Sequence, residues 1–212
     1  MGINELWHRG TEQDWKDAIA AYYENPFVKK NIDLERRIEA ISPDAIRKMD
    51  GAAFYRFLYD EYFKWKYTAP NRLATTRKSL SRYESEGIDQ LEEIRRGILQ
   101  TFDNDPYNTK EMLSVAKQIY GLGTAGASGL LAIIFPEVYG TVDQFLVYAL
   151  LKVRDLPEHS DIEGMNPLGL TVKNGIVLEN IMRRKAQELN EKFKSDKWTP
   201  RKVDMVLWVV RE

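Results

Sequence analysis

The sequence predicts an all-α protein, on two observations. Apolar residues recur at helical spacing nearly throughout, with no alternating stretch long enough for a strand, and runs of strong helix formers are punctuated by Gly, Pro and Asn. At 212 residues and 43% hydrophobic, the chain can bury one core, or form two lobes sharing a cleft, without staples. It contains no cysteine, which excludes disulfides, thiolate metal sites and cysteine-ligated iron–sulfur clusters. A reducing, cytoplasmic setting fits that absence.

Thr11 stands as an N-cap before EQDWKDAIAAYY, so a helix starts there. Ser42 followed by Pro43 marks a second start, and Gly51 reads as the left-handed cap closing that run. Phe54, Leu58, Tyr62 and Trp65 fall at i, i+4, i+8 and i+11, one face of a helix, which assigns most of these rings to the core. Asn108, with Glu111 three residues on, opens the helix TKEMLSVAKQIY, which Gly121 stops. The uncharged stretch 118–135 is too short and too interrupted to span a bilayer, and its apolar part reads as a buried helix. Residues 158–169 form the longest irregular segment and precede a C-terminal pair of helices. Arg183, Arg184 and Lys185 read as a solvated face from which a cation could reach a phosphate. Thr199 and Pro200 open the last helix, where RKVDMVLWVV docks back on the body, with Trp198 and Trp208 read as core.

The net charge of −1 gives no overall basic character, and phosphate contacts need clustered Lys and Arg. Its distribution is uneven. Residues 61–82 hold Lys64, Lys66, Arg72, Arg77, Lys78 and Arg82 against Glu61 alone, whereas 83–105 hold seven acids against Arg95 and Arg96. The pattern predicts solvated faces of neighbouring helices that pair with each other. His8 and His159, the two histidines, are far apart, which argues against a His-based metal site or a Ser/His/Asp triad. The first thirty residues carry charges and two tryptophans, with no apolar run behind a basic start, so no signal peptide is expected.

The informative segment is NTKEMLSVAKQIYGLGTAGASGLLAIIF, followed by PEVYGTVDQFLVYALLKV. Gly121-Leu122-Gly123 makes a turn too tight for side chains, with Leu122 pinning two helices from inside. Thr124, Ala125, Gly126, Ala127 and Ser128 then open a second helix with residues small enough for close backbone approach. The amides at its start are left facing outward, an anion site suited to a DNA phosphate.

This segment resembles the helix-hairpin-helix DNA glycosylase superfamily, in its 8-oxoguanine-glycosylase-like branch without an iron–sulfur cluster. The likeness rests on Ile119, Gly121, Leu122, Gly123 and Ala127, and on Val142-Asp143, which lies twenty positions past the second hairpin glycine; it covers residues 108–154. It implies a two-lobed helical fold with a central cleft. One lobe would be 27–137, ending in the helix-hairpin-helix with its hairpin at 119–125, and the other 1–26 together with 138–212. Double-stranded DNA is the implied partner, held by Gly121, Leu122, Gly123, Thr124 and Ala125. Asp143 is the implied catalytic carboxylate, hydrolysing the N-glycosidic bond of a damaged or modified flipped-out base. Members that also cut the strand carry a lysine near the start of the second hairpin helix, where this chain has Ala125. A monofunctional enzyme is therefore implied, unless a lysine from another segment acts.

Breaking an N-glycosidic bond puts positive charge on the sugar, which a carboxylate stabilises while orienting water. Asp143 alone, without the hairpin, reads as an N-cap of QFLVYALLKV, and the two roles are compatible. Trp65, Tyr67 and Gln144 are the candidates for a base pocket, which normally stacks the base on rings and bonds its edge. No metal or other cofactor is expected beyond a monovalent cation at the hairpin, and the chain is expected to be a monomer away from membranes, nucleoid-associated in a prokaryote. The alternative is a catalytically inactive helix-hairpin-helix module that binds DNA or a protein. The excised base stays open at this point.

Overall fold

The computed structural model describes residues 1–210, and all regular structure among them is helical, from Ile3–Arg9 to Pro200–Val209. The predicted caps form as read. The Thr11 side chain accepts from the Asp14 amide while the Asp14 side chain accepts from Thr11, and Ser42, Asn108 and Thr199 accept from the amides of Ala45, Glu111 and Lys202. Three local readings are corrected. Gly51 is not a left-handed cap: Asp50 is an N-cap, accepting from the Ala53 amide, and Gly51 is the first residue of the next helix, Gly51–Phe57. The helix before the hairpin is Thr109–Ala116, ending earlier than Tyr120 and followed by turns through which Leu122 N donates to Ile119 O at 3.0 Å. The segment expected to be irregular contains a short helix, His159–Glu163.

Residues Leu58–Tyr62 form a π-helical turn between Gly51–Phe57 and Phe63–Lys66. Its wider i→i+5 spacing departs from the single face read in the sequence. Phe54, Leu58 and Tyr62 are fully buried as expected, but Phe63 joins them beside Tyr62, while Trp65 stays half-buried. Trp65 and Lys66 thereby project toward the site described below rather than continuing the core.

Buried apolar side chains gather in two main clusters. One runs from Ile38 to Tyr139 and includes Phe54, Tyr62, Leu122 and Leu130; the other joins Ile3, Trp7 and Trp15 to residues from Val142 to Leu207. Helix Glu12–Glu24 closes the second cluster by packing on Pro200–Val209. There Trp15 is fully buried, its ring 6.4 Å from that of Trp7 and 5.7 Å from that of Trp198. The chain passes from one cluster to the other between Tyr139 and Val142, and helix Thr124–Ile134, with ten of its residues buried, is the last long element before that crossing.

Gly121 holds the hairpin at φ 91°, a left-handed conformation, and a Cβ there would lie 2.9 Å from both the Thr76 methyl and the Thr76 carbonyl oxygen. Gly121→Ala is expected to lower stability by about 1–3 kcal/mol, combining backbone strain with displacement of helix Pro70–Leu80. Urea unfolding of the two proteins measures it; equal midpoints would show that the turn tolerates a side chain.

Candidate active site

The site is organised by residues 140–143, an irregular stretch outside any helix. Each buried amide of such a stretch needs an acceptor, and three side chains supply them. Gly140 N donates to Glu179 Oε2 at 3.0 Å, Thr141 N to Asp204 Oδ2 at 3.1 Å, and Val142 N to Ser128 Oγ at 2.9 Å. The Ser128 hydroxyl also reaches Val142 O at 3.2 Å, so the hairpin's second helix is tied directly to the residue before Asp143.

Asp143 is the N-cap of helix Gln144–Leu150. Its Oδ1 accepts from Phe145 N at 2.9 Å and Leu146 N at 3.3 Å, which fixes the carboxylate plane. Oδ2 pairs with Lys66 Nζ at 3.3 Å; the two side chains are 21% and 9% exposed. Lys66 reaches this point because residue 129 is glycine. A Cβ at Gly129 would stand 3.1 Å from Lys66 Cδ and 3.2 Å from Cε, so the lysine stem lies flat against the hairpin helix. One turn earlier, the Tyr62 hydroxyl donates to Gly126 O.

Asp143 and Lys66 form part of the wall of a cavity of about 250 Å³. Phe27, Trp65, Phe145 and Trp208 give it aromatic walls, and Glu35, Arg201 and Asp204 give it a charged floor. The floor is closely bonded. Glu35, 5% exposed, accepts from the Tyr22 hydroxyl and from Trp65 Nε1, each at 2.7 Å. Arg201 pairs with Asp204 and lies 3.5 Å from Glu35. Burial pushes the Asp204 carboxyl up, with Arg201 opposing, and burial pushes the Glu179 carboxyl up to about 8, offset in part by the Gly140 amide and Arg183. Glu179 Oε1 has no hydrogen-bond partner among the described residues.

Of the residues singled out in the sequence, Trp65 lines the cavity beside Asp143, whereas Tyr67 and Gln144 do not. Tyr67 packs its ring edge-on against Phe63, centroids 5.8 Å apart, and sets its hydroxyl in the space left by the missing side chain of Gly126. In the hairpin, Gly121 and Gly123 are exposed, Leu122 is buried in the first cluster, Thr124 is buried and Ala125 is half-buried. No side chain caps helix Thr124–Ile134 among the described residues, which leaves the amides at its start without a side-chain acceptor there.

Several charge readings are corrected. Arg82 at the end of the basic stretch pairs with Glu86 of the acidic one, but within a single helix; Arg95 and Arg96 share Glu92, and Asp103 pairs with Arg47, so no helix-to-helix pairing of the two stretches forms among the described residues. Lys64, Arg72 and Lys78 are left exposed without an ion pair among the described residues. Arg183, Arg184 and Lys185 are not a solvated face. Arg183 donates to Val138 O and to Thr109 Oγ1, Arg184 forms a two-pronged pair with Glu158, and Lys185 lies over the Trp7 ring. Trp208 packs on the small cluster of Tyr22, Val28 and Met205, as read, and also lines the cavity. Glu35, Arg201 and Asp204 escaped the sequence reading, although an acid one turn after Arg201 inside the apolar run VDMVLW was a visible sign of a buried pair.

Among the described residues, no group of three or more His, Cys, Asp or Glu could hold a metal ion, and no helix is long and apolar enough to cross a membrane. No protein-family model, curated protein or solved structure matches the chain.

The raised Glu179 carboxyl has a definite consequence for stability. Its ordinary value is 4.5 and its folded value about 8, so between these the folded protein holds a proton that the unfolded chain releases. Stability therefore falls as pH rises from about 4.5 to about 8, and the raised Asp204 adds in the same sense. Glu179→Gln keeps an acceptor for Gly140 N and is expected to flatten the decline. Urea midpoints across that range check it; an unchanged slope would assign the dependence elsewhere.

Proposed function

We propose that this chain is a DNA glycosylase of base-excision type, acting as a monomer on double-stranded DNA. The observation that carries the reading is the Asp143 carboxylate, clamped by two amides, on the wall of an aromatic cavity and bonded through Val142 and Ser128 to the hairpin helix. A hairpin that grips the DNA backbone is thereby coupled rigidly to the group that would act on the sugar.

The parts divide the work by their chemistry. Exposed Gly121 and Gly123 let a phosphate approach the uncapped amides at Thr124 and Ala125, with Lys64, Arg72 and Lys78 available to neighbouring phosphates. The carbonyls of Tyr120, Gly121 and Leu122 accept no hydrogen bond among the described residues and are the oxygens that would hold a monovalent cation. Such a cation would add positive charge beside the phosphate. A flipped-out base entering the cavity would stack on Trp65 and Trp208 and offer its polar edge to Glu35, Arg201 and Asp204. The cavity, about 250 Å³, lies below the usual range for drug-sized ligands and suits one planar ring system. Asp143 would then stabilise the positive sugar as the base departs and orient water toward it.

A panel of duplexes, each carrying one damaged or modified base, tests this reading by free-base release. Asp143→Asn is expected to reduce release by about 10²–10³-fold, because Asn caps a helix as well as Asp does and so removes the charge while keeping the fold. DNA binding should persist in the variant and weaken steeply with salt. Release undiminished in Asp143→Asn would overturn the assigned role, and absence of salt-dependent duplex binding would overturn DNA as the partner.

A further inference from the structure

Ala125 removes the lysine that the resemblance would put on the hairpin, yet an amine stands beside Asp143 all the same. Lys66 comes from the short helix Phe63–Lys66, and its Nζ is 3.3 Å from Asp143 Oδ2. Its stem is almost wholly buried against Gly129, which confines the amine to the cavity wall. Lys64, two residues earlier, also lines the cavity but is exposed and pairs with no carboxylate among the described residues. We propose that Lys66 is a nucleophile, and that it gives this protein a strand-cleaving activity on the abasic sugar left when a base is removed. This inference rests on the base-excision reading above.

The chemistry follows from what sits in the cavity after base release. An abasic deoxyribose is in equilibrium with its open-chain C1′ aldehyde, and a primary amine held against it condenses. Asp143 takes a proton from the Lys66 ammonium, the freed amine bonds to C1′, and the proton passes to the carbinolamine hydroxyl, which leaves as water to give a protonated imine. The protonated imine acidifies the C2′ hydrogen, which the Asp143 carboxylate, 3.3 Å from Nζ, is placed to remove. The C2′–H electron pair forms the C2′=C3′ double bond and the C3′–O3′ bond breaks, its pair leaving with the 3′ phosphate. Water then hydrolyses the imine, freeing Lys66 and the unsaturated aldehyde. No oxidant, reductant or metal is needed at any step.

The alternative for Lys66 is that it only neutralises and orients Asp143. Arginine separates the two, since a guanidinium can pair with the carboxylate but forms no imine under these conditions. The experiment presents a duplex with one preformed abasic site to the full-length protein in the presence of borohydride, which reduces an imine to a stable amine. Wild type is expected to become covalently attached, with the added mass on the peptide holding Lys66. Lys66→Arg and Lys66→Gln, confirmed as folded by urea unfolding, should trap at least about tenfold less and leave the duplex uncut. Failure of wild type to trap, or equal trapping by both variants, overturns the lysine assignment. Base release from the damaged-base panel without trapping would sink Lys66 alone. Trapping that depends on Lys66, without base release from any duplex, would support Lys66 and overturn the glycosylase reading, leaving an abasic-site lyase.

Discussion

The structure depends on one close approach, between the segment Tyr62–Lys66 and the hairpin's second helix at Gly126 and Gly129. Two backbones can come this near only where side chains are missing, and a Cβ at Gly129 would meet the Tyr62 hydroxyl at 2.8 Å as well as the Lys66 stem. The approach lets the Tyr62 hydroxyl bond to the Gly126 carbonyl inside the core and lets Lys66 slide past the helix toward Asp143. The π-helical turn at Leu58–Tyr62 serves the same contact, since it is what brings Tyr62 and Phe63 inward together and turns Trp65 and Lys66 to the cavity. Substituting either glycine would therefore disturb packing and site at once.

A second constraint acts on the other side of the cavity. The stretch 140–143 crosses between the two apolar clusters outside any helix, so its amides must find side-chain acceptors. Glu179, Asp204 and Ser128 provide one each, and two of the three are buried carboxyls whose ionised forms are disfavoured there. Arg201 answers for Asp204 and also approaches Glu35, so Asp204, which holds the Thr141 amide, and Glu35 belong to one bonded network at the cavity. A network of this kind fixes geometry more than it adds stability, because desolvation offsets much of its attraction.

Local signals in the sequence carried most of the fold and part of the site. Caps such as Thr11, Ser42, Asn108 and Thr199 are written within three residues of the helices they start, and the left-handed glycine of the hairpin is likewise a local requirement. Gly51 was misread because glycine after a helical run fits a left-handed cap and the first position of a following helix equally well; only Asp50 decides between them. The cavity floor was not legible for a different reason. Glu35, Trp65 and Arg201 meet across separations of up to 166 residues, and no spacing rule reports a contact made by tertiary packing. Tyr67 lies away from the cavity because its hydroxyl fills a gap that Gly126 opens in a distant helix.

The ion pair of Lys66 with Asp143 is where stability and function give different expectations. A pair this little exposed loses much of its hydration, and replacing such a pair by well-packed apolar residues is often neutral or stabilising by about 1–4 kcal/mol. Asp143 needs no ammonium to cap its helix, since Oδ1 alone accepts both amides. Nor does Lys66 need the carboxylate to pack, because its stem is already buried against Gly129. Neither the fold nor the cap accounts for bringing the two charges together at a cavity wall across 77 residues of sequence. The proposed reaction, which would use a carboxylate and an amine on the same sugar, would account for it.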